Sequence, residues 1–117
     1  MHLRIVCVSD IELLETRLGH IVQGLQPMRP AKIVLFGSAA RGSADKLSDI
    51  DILVVAENVA PRFLDRIADA YDLISHDYAL DILIYLPHEY EEMKRDGNPF
   101  VEATEREGRV LYERPAA

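Results

Sequence analysis

A single cysteine, Cys7, stands in 117 residues. No intramolecular disulfide can form, which excludes the secreted disulfide-scaffold class. No apolar run approaches the length of a membrane span, and Leu3 to Val8 is too short and wrongly flanked for a signal peptide. Positive charge is scarce: 13 Lys and Arg against 20 Asp and Glu leave a formal charge of −7. Such a surface repels a phosphate backbone or an anionic membrane, so the expectation is a cytoplasmic protein that binds neither nucleic acid nor membrane directly. Repeats, low-complexity tracts and Gly/Ser linkers are also missing. Residues 1–117 therefore read as one domain, with 49% apolar residues to build one core.

The apolar pattern places the elements. Leu3 to Val8 reads as a short strand or an N-terminal extension. Ser9 followed by Glu12 is a capping-box pattern, and Ile11, Leu14, Leu18, Ile21, Val22 and Leu25 recur at helical spacing, which predicts a helix from about Asp10 to Gly24. Ile33 to Phe36 and Ile50 to Val55 are continuous β-prone runs of the kind buried on both faces of a sheet. Between them, Ser38 to Arg41 has room for one helical turn. Pro61 opens a predicted helix to Ser75, and Ile82 to Leu86 is a third strand. Pro87 and Asn98-Pro99 mark two more helix starts, Gly108 a cap, and Arg109 to Tyr112 a last short strand. The order predicts an α/β (α+β) fold in which helices pack on a small sheet.

Three aspartates sit where strands usually carry apolar residues: Asp49 and Asp51 on the second run, Asp81 just before the third. Strand side chains alternate, so Asp49 and Asp51 project from one face. Burying like charges there costs several kcal/mol unless something neutralises them. An oxygen-only donor set suits a hard cation such as Mg²⁺, which takes one or two carboxylates and completes its shell with water and phosphate. Asp49 on its own also reads as a turn residue after Ser48. Gly37-Ser38, at the end of the first strand, adds a residue without a side chain and a small hydroxyl opening a helical turn, where backbone N–H groups can meet a phosphate. Arg41 reads equally as a positive charge for that phosphate and as a solvated surface arginine.

Gly37-Ser38, ten intervening residues, then Asp49-Ile50-Asp51 among apolar residues resembles the signature of the polymerase-β-like nucleotidyltransferase superfamily. Residues 34–54 as a whole, with Asp81 as third carboxylate and Glu107 to Glu113 as chain end, are similar to its minimal, MNT-type members. The resemblance departs at Ala39, where many members carry a larger residue such as arginine. It implies a nucleotidyltransferase fold with a mixed sheet. Gly37-Ser38 can face Asp51 and Asp81 only if the first strand runs opposite to the other two, and a helical crossover joins parallel neighbours.

The resemblance further implies two Mg²⁺ ions about 3.5–4 Å apart, Asp49 and Asp51 holding the one on the triphosphate of ATP, and Asp51 and Asp81 the other. Gly37 and Ser38 hold the terminal phosphates, and Ser48 supports the turn that presents Asp49. Asp81 helps take the acceptor's proton. In minimal members the acceptor comes from a partner, typically a HEPN-type toxin that receives AMP on a tyrosine, which makes this chain an adenylylating antitoxin. Two alternatives stay open: a subunit acting on a small molecule presented by a separate protein, and a binding module that neutralises its partner by contact alone.

Other motifs fail. GlySerAlaAlaArgGly lacks the Gly-Lys-Ser/Thr of a P-loop and the Gly-x-Gly-x-x-Gly of dinucleotide folds. His2, His20, His76 and His88 are scattered, with no cysteine pair for zinc, and His76 reads as a helix-end residue. The five tyrosines read as packing residues, and Cys7 as a small core or surface residue.

Overall fold

The computed structural model describes residues 2–41, 49–74 and 76–115, with only the backbone for 2–10, Ser38 and Arg41. In chain order the elements are α1 (His2–Gly24), β1 (Pro30–Phe36), α2 (Ser38–Arg41), β2 (Asp49–Ala56), α3 (Phe63–Leu73), β3 (Ala79–Tyr85), α4 (Pro87–Arg95), α5 (Pro99–Glu107) and β4 (Arg109–Glu113). Four strands form one sheet in the order β3-β2-β1-β4. β1 is antiparallel to both neighbours and β2 is parallel to β3, so the sheet is mixed, as the facing of Gly37 and the aspartates requires. The β2–α3–β3 unit is the crossover that parallel pairing needs.

Strand alternation sorts the core into two layers. Ile33, Leu35, Ile50, Ile52 and Val54 point to the face covered by α1 and α3, where Leu18, Ile21, Leu25 and Ala70 meet them. Leu53 and Val55 point to the other face, against Tyr90 of α4 and Val101 of α5. β2 is buried from Ile52 to Ala56, so its charged first half stands apart from an apolar second half.

The expected strand or extension at Leu3 to Val8 is corrected: its backbone belongs to α1, and Ser9 and Glu12 lie inside the helix, not at its start. No Gly or Pro occurs before Gly19 to stop a helix, so the helix that the spacing from Ile11 predicts runs on toward the N-terminus. Pro61 also precedes its helix, because α3 starts at Phe63 after Arg62 as N-cap. His76 lies beyond the end of α3 at Leu73, its ring between those of Tyr71 and Tyr78. The other two starts hold: Pro87 opens α4, and the Asn98 side chain accepts from the N–H groups of Phe100 and Val101 at 2.9 and 3.1 Å.

Gly108 caps α5 with extended backbone, its N–H donating to the Thr104 carbonyl at 2.8 Å. Glycine is required there by close approach: a Cβ would lie 2.5 Å from both the Thr104 carbonyl and Val34 Cγ1.

Candidate active site

The sheet assembles the site at the first residues of β2 and β3. Asp51 pairs with Asp81 across the parallel ladder and with Phe36 across the antiparallel one. Directly paired residues share a face. Asp49, two residues earlier, is on that face too, the side that further along carries Leu53, Val55 and the α4/α5 layer.

Gly37 leaves β1 beside Phe36 with φ +77°, a left-handed conformation that costs a side-chain-bearing residue about 1–2 kcal/mol. Its missing side chain matters more. A Cβ would fall 2.4 Å from Asp51 Oδ2, so the backbone and the carboxylate occupy adjoining space that only glycine permits.

Burial and the neighbouring Asp81 carboxylate hold the Asp51 carboxyl above the usual aspartate range, and a hydrogen bond from the protonated Asp51 to Asp81 and the charge of Asp49 act in the same direction. Two carboxyls that crowd closely enough to share a proton match a hard dication, which can replace that proton and take oxygen donors from both. The donor set therefore fits Mg²⁺ at the Asp51–Asp81 pair. Among the described residues no three His, Cys, Asp or Glu side chains converge on one point, and Asp49, at the exposed start of β2, stands outside the pair.

Of the other sequence candidates, Ser38 and Arg41 are the first and last residues of α2, which follows Gly37 directly. Ser48 lies outside the described residues. The structure thus brings Gly37, Asp51 and Asp81 together, with Asp49 on the same face and α2 next to it.

Two features escaped the sequence. Arg66 is 2% exposed, yet in sequence it is one of four charged residues of α3, beside Asp65, Asp69 and Asp72, with nothing to single it out. Phe36 packs edge to face on Phe100, ring centroids 5.2 Å apart, beside the glycine turn. The i, i+3, i+4 spacing of Phe100, Ala103 and Thr104 was the available signal.

The family described as "Nucleotidyltransferase domain" matches residues 16–112. A Methanocaldococcus jannaschii protein provisionally named a protein adenylyltransferase is 32% identical over 85 residues, covering 70% of this chain and 58% of the relative. The chain thus spans less than two thirds of that relative's length. Among solved structures, one from Sulfolobus solfataricus, provisionally described as a nucleotidyltransferase, superposes with TM-score 0.61 at 21% identity over 92% of this chain and 86% of its own. A second, a toxin–antitoxin with AMP-PNP, has TM-score 0.55 at 21% identity over 83% and 73%. At that identity the structures speak for the fold.

Proposed function

Since the chain belongs to the nucleotidyltransferase domain family, we propose that it transfers AMP from ATP to a hydroxyl of a partner protein, a tyrosine of a HEPN-type toxin, and acts as the antitoxin of the pair. The carrying observation is the glycine turn set against Asp51, with Asp81 beside it. This arrangement puts backbone that can approach phosphate within reach of carboxylates that can hold its metal. The name of the Methanocaldococcus relative and the AMP-PNP in the toxin–antitoxin neighbour support the donor and the partner class.

In this reading Asp49, Asp51 and Asp81 hold two Mg²⁺ ions, which when bound neutralise triphosphate charge and acidify the acceptor hydroxyl. The backbone at Gly37 and Ser38 lies against the terminal phosphates, Arg41 adds positive charge there, and Ser48 supports the turn presenting Asp49. The acceptor oxygen bonds to the α-phosphorus while the bond from that phosphorus to the β-bridging oxygen breaks. Pyrophosphate leaves with the electron pair. Asp81 receives the hydroxyl proton. A phenol, with a pKa near 10, yields that proton more readily than an aliphatic alcohol.

The test is the intact mass of the partner, incubated with this protein, ATP and Mg²⁺. It gains mass in units of one adenylyl group. With Asp49→Ala/Asp51→Ala the complex still forms and the partner stays unmodified. A partner whose toxicity is fully suppressed by that double variant, without modification, contradicts the catalytic reading and favours neutralisation by contact.

A further inference from the structure

β3 is an edge strand. Among the described strands it pairs with β2 alone, so the ladder holds Asp81 against Asp51 from one side only. Its first residues are the least secured: Ala79 and Asp81 are both exposed, and strand ends of that kind open at low cost. A cation held between two carboxyls needs both within about 0.5 Å of the productive geometry. Something beyond the ladder has to fix the start of β3.

α3 ties the strand with two side chains. At the far end Arg66 donates to the Ile84 carbonyl at 3.2 Å. At the near end the Tyr71 hydroxyl donates to the Leu80 carbonyl at 2.5 Å. That carbonyl lies in the peptide plane that ends on the Asp81 Cα, so fixing it fixes the direction in which the carboxylate leaves the strand. Leu80 is buried in the layer under α1 and α3, and strand alternation turns Asp81 to the opposite face. The phenol therefore acts from behind the carboxylate, through the backbone. Its ring packs against the same core layer and stands 5.2 Å from the ring of His76, which sets the direction of the hydroxyl. Burial and the negative charge of Asp81 hold the Tyr71 phenol above its ordinary value, so the group keeps the proton it donates.

The geometry points to Tyr71 as a positioning residue for the metal pair: its hydroxyl holds the Leu80–Asp81 peptide so that the Asp81 carboxyl stays set against Asp51. The inference rests on the transferase reading above. Groups that orient metal ligands are typically worth about 10- to 100-fold in metal affinity, and a tie made through the backbone belongs at the lower end. A tyrosine present for packing alone would need only its ring, so phenylalanine separates the two roles.

Titration calorimetry of ATP on the full chain, repeated over a series of free Mg²⁺ concentrations, reads metal affinity as the Mg²⁺ level at half-maximal ATP binding. Tyr71→Phe keeps the ring and removes the hydroxyl. Its Mg²⁺ midpoint rises about 10-fold, while ATP affinity at saturating Mg²⁺ returns to the wild-type value. Ile74→Val trims the end of the same helix inside the same core layer and leaves the Leu80 carbonyl its donor. It lowers the melting temperature and does not move the midpoint.

A wild-type midpoint in Tyr71→Phe overturns the assignment and leaves the transferase reading standing. An equal rise in Ile74→Val does the same, since the shift then follows stability and not the hydroxyl. A Tyr71→Phe chain that no longer unfolds cooperatively makes Tyr71 a structural residue and likewise overturns the assignment. Wild-type protein that binds ATP without any dependence on Mg²⁺, or not at all, removes the metal-dependent transferase reading and this inference with it.

Discussion

The two ends of β3 treat charge in opposite ways. At its C-terminal end the buried Arg66 guanidinium donates to Glu89 at 2.7 and 3.2 Å, to the carbonyls of Ala60 and Pro61 at 2.6 and 3.0 Å, and to the Ile84 carbonyl at 3.2 Å. Glu89 in turn accepts from the Leu86 N–H at the start of α4 at 2.8 Å. The Arg66 bond holds the Glu89 carboxyl below the usual range. At the N-terminal end burial and like charge push Asp51 the other way. One end is a closed knot joining α3, β3 and α4. The other leaves carboxylates facing each other, an arrangement that costs stability unless a cation or substrate joins it.

The contrast can be broken from either end. Arg66→Met removes the knot's only cation, leaves three carbonyls and Glu89 without it, and should cost about 3 kcal/mol, discounted from a fully buried pair because Glu89 is partly solvated. Denaturant unfolding reads this directly. Glu89's lowered pKa stabilises the fold above the ordinary glutamate range, and that contribution disappears as pH falls through the lowered value. The difference between wild type and Arg66→Met should therefore narrow in acid.

Gly37→Ala combines a left-handed φ with a Cβ in the space of Asp51 Oδ2. A loss of about 1–2 kcal/mol is expected in unfolding, with weakened ATP binding, because the carboxylate has to move. Wild-type stability and binding in this variant would show that the contact between turn and carboxylate is not what glycine is there for.

Asp51→Asn has the smallest effect on stability and sharpens the contrast most. A carboxyl whose folded pKa is raised keeps its proton longer in the folded than in the unfolded state, so wild-type stability declines as pH rises through that window. Asparagine has no such penalty. Without metal, its melting temperature should equal that of wild type below the ordinary aspartate range and exceed it by about 1–4 °C at neutral pH, while transfer is abolished. A large loss of folding would make Asp51 a structural residue.

The apolar runs foretold β1, β2 and β3, and Asn98-Pro99 foretold a cap that forms by the expected hydrogen bonds. Alternation placed Asp49 and Asp51 on one face, a local rule that survives packing. The antiparallel β1 followed from the facing of Gly37 and the aspartates that the family resemblance implies. The start of α1 was not legible, since Ser9 and Glu12 carry a cap pattern wherever they stand, and whether a helix begins there depends on whether the residues before them are already helical. Arg66 was not legible because burial of one helical arginine depends on carbonyls from Ala60, Pro61 and Ile84 and a carboxylate 23 residues away. The contact of Phe36 with Phe100 needed the packing of α5 on β1, which spacing alone does not disclose.

The most direct measurement is ATP binding to the full chain by titration calorimetry, with Mg²⁺ and with excess chelator, for wild type and Asp51→Asn. If the crowded carboxylates are a metal site serving a nucleotide, wild type binds ATP with Mg²⁺ and loses that binding in chelator, and Asp51→Asn behaves in both solutions as wild type does in chelator. ATP binding of equal strength in chelator and in Mg²⁺ would contradict the account.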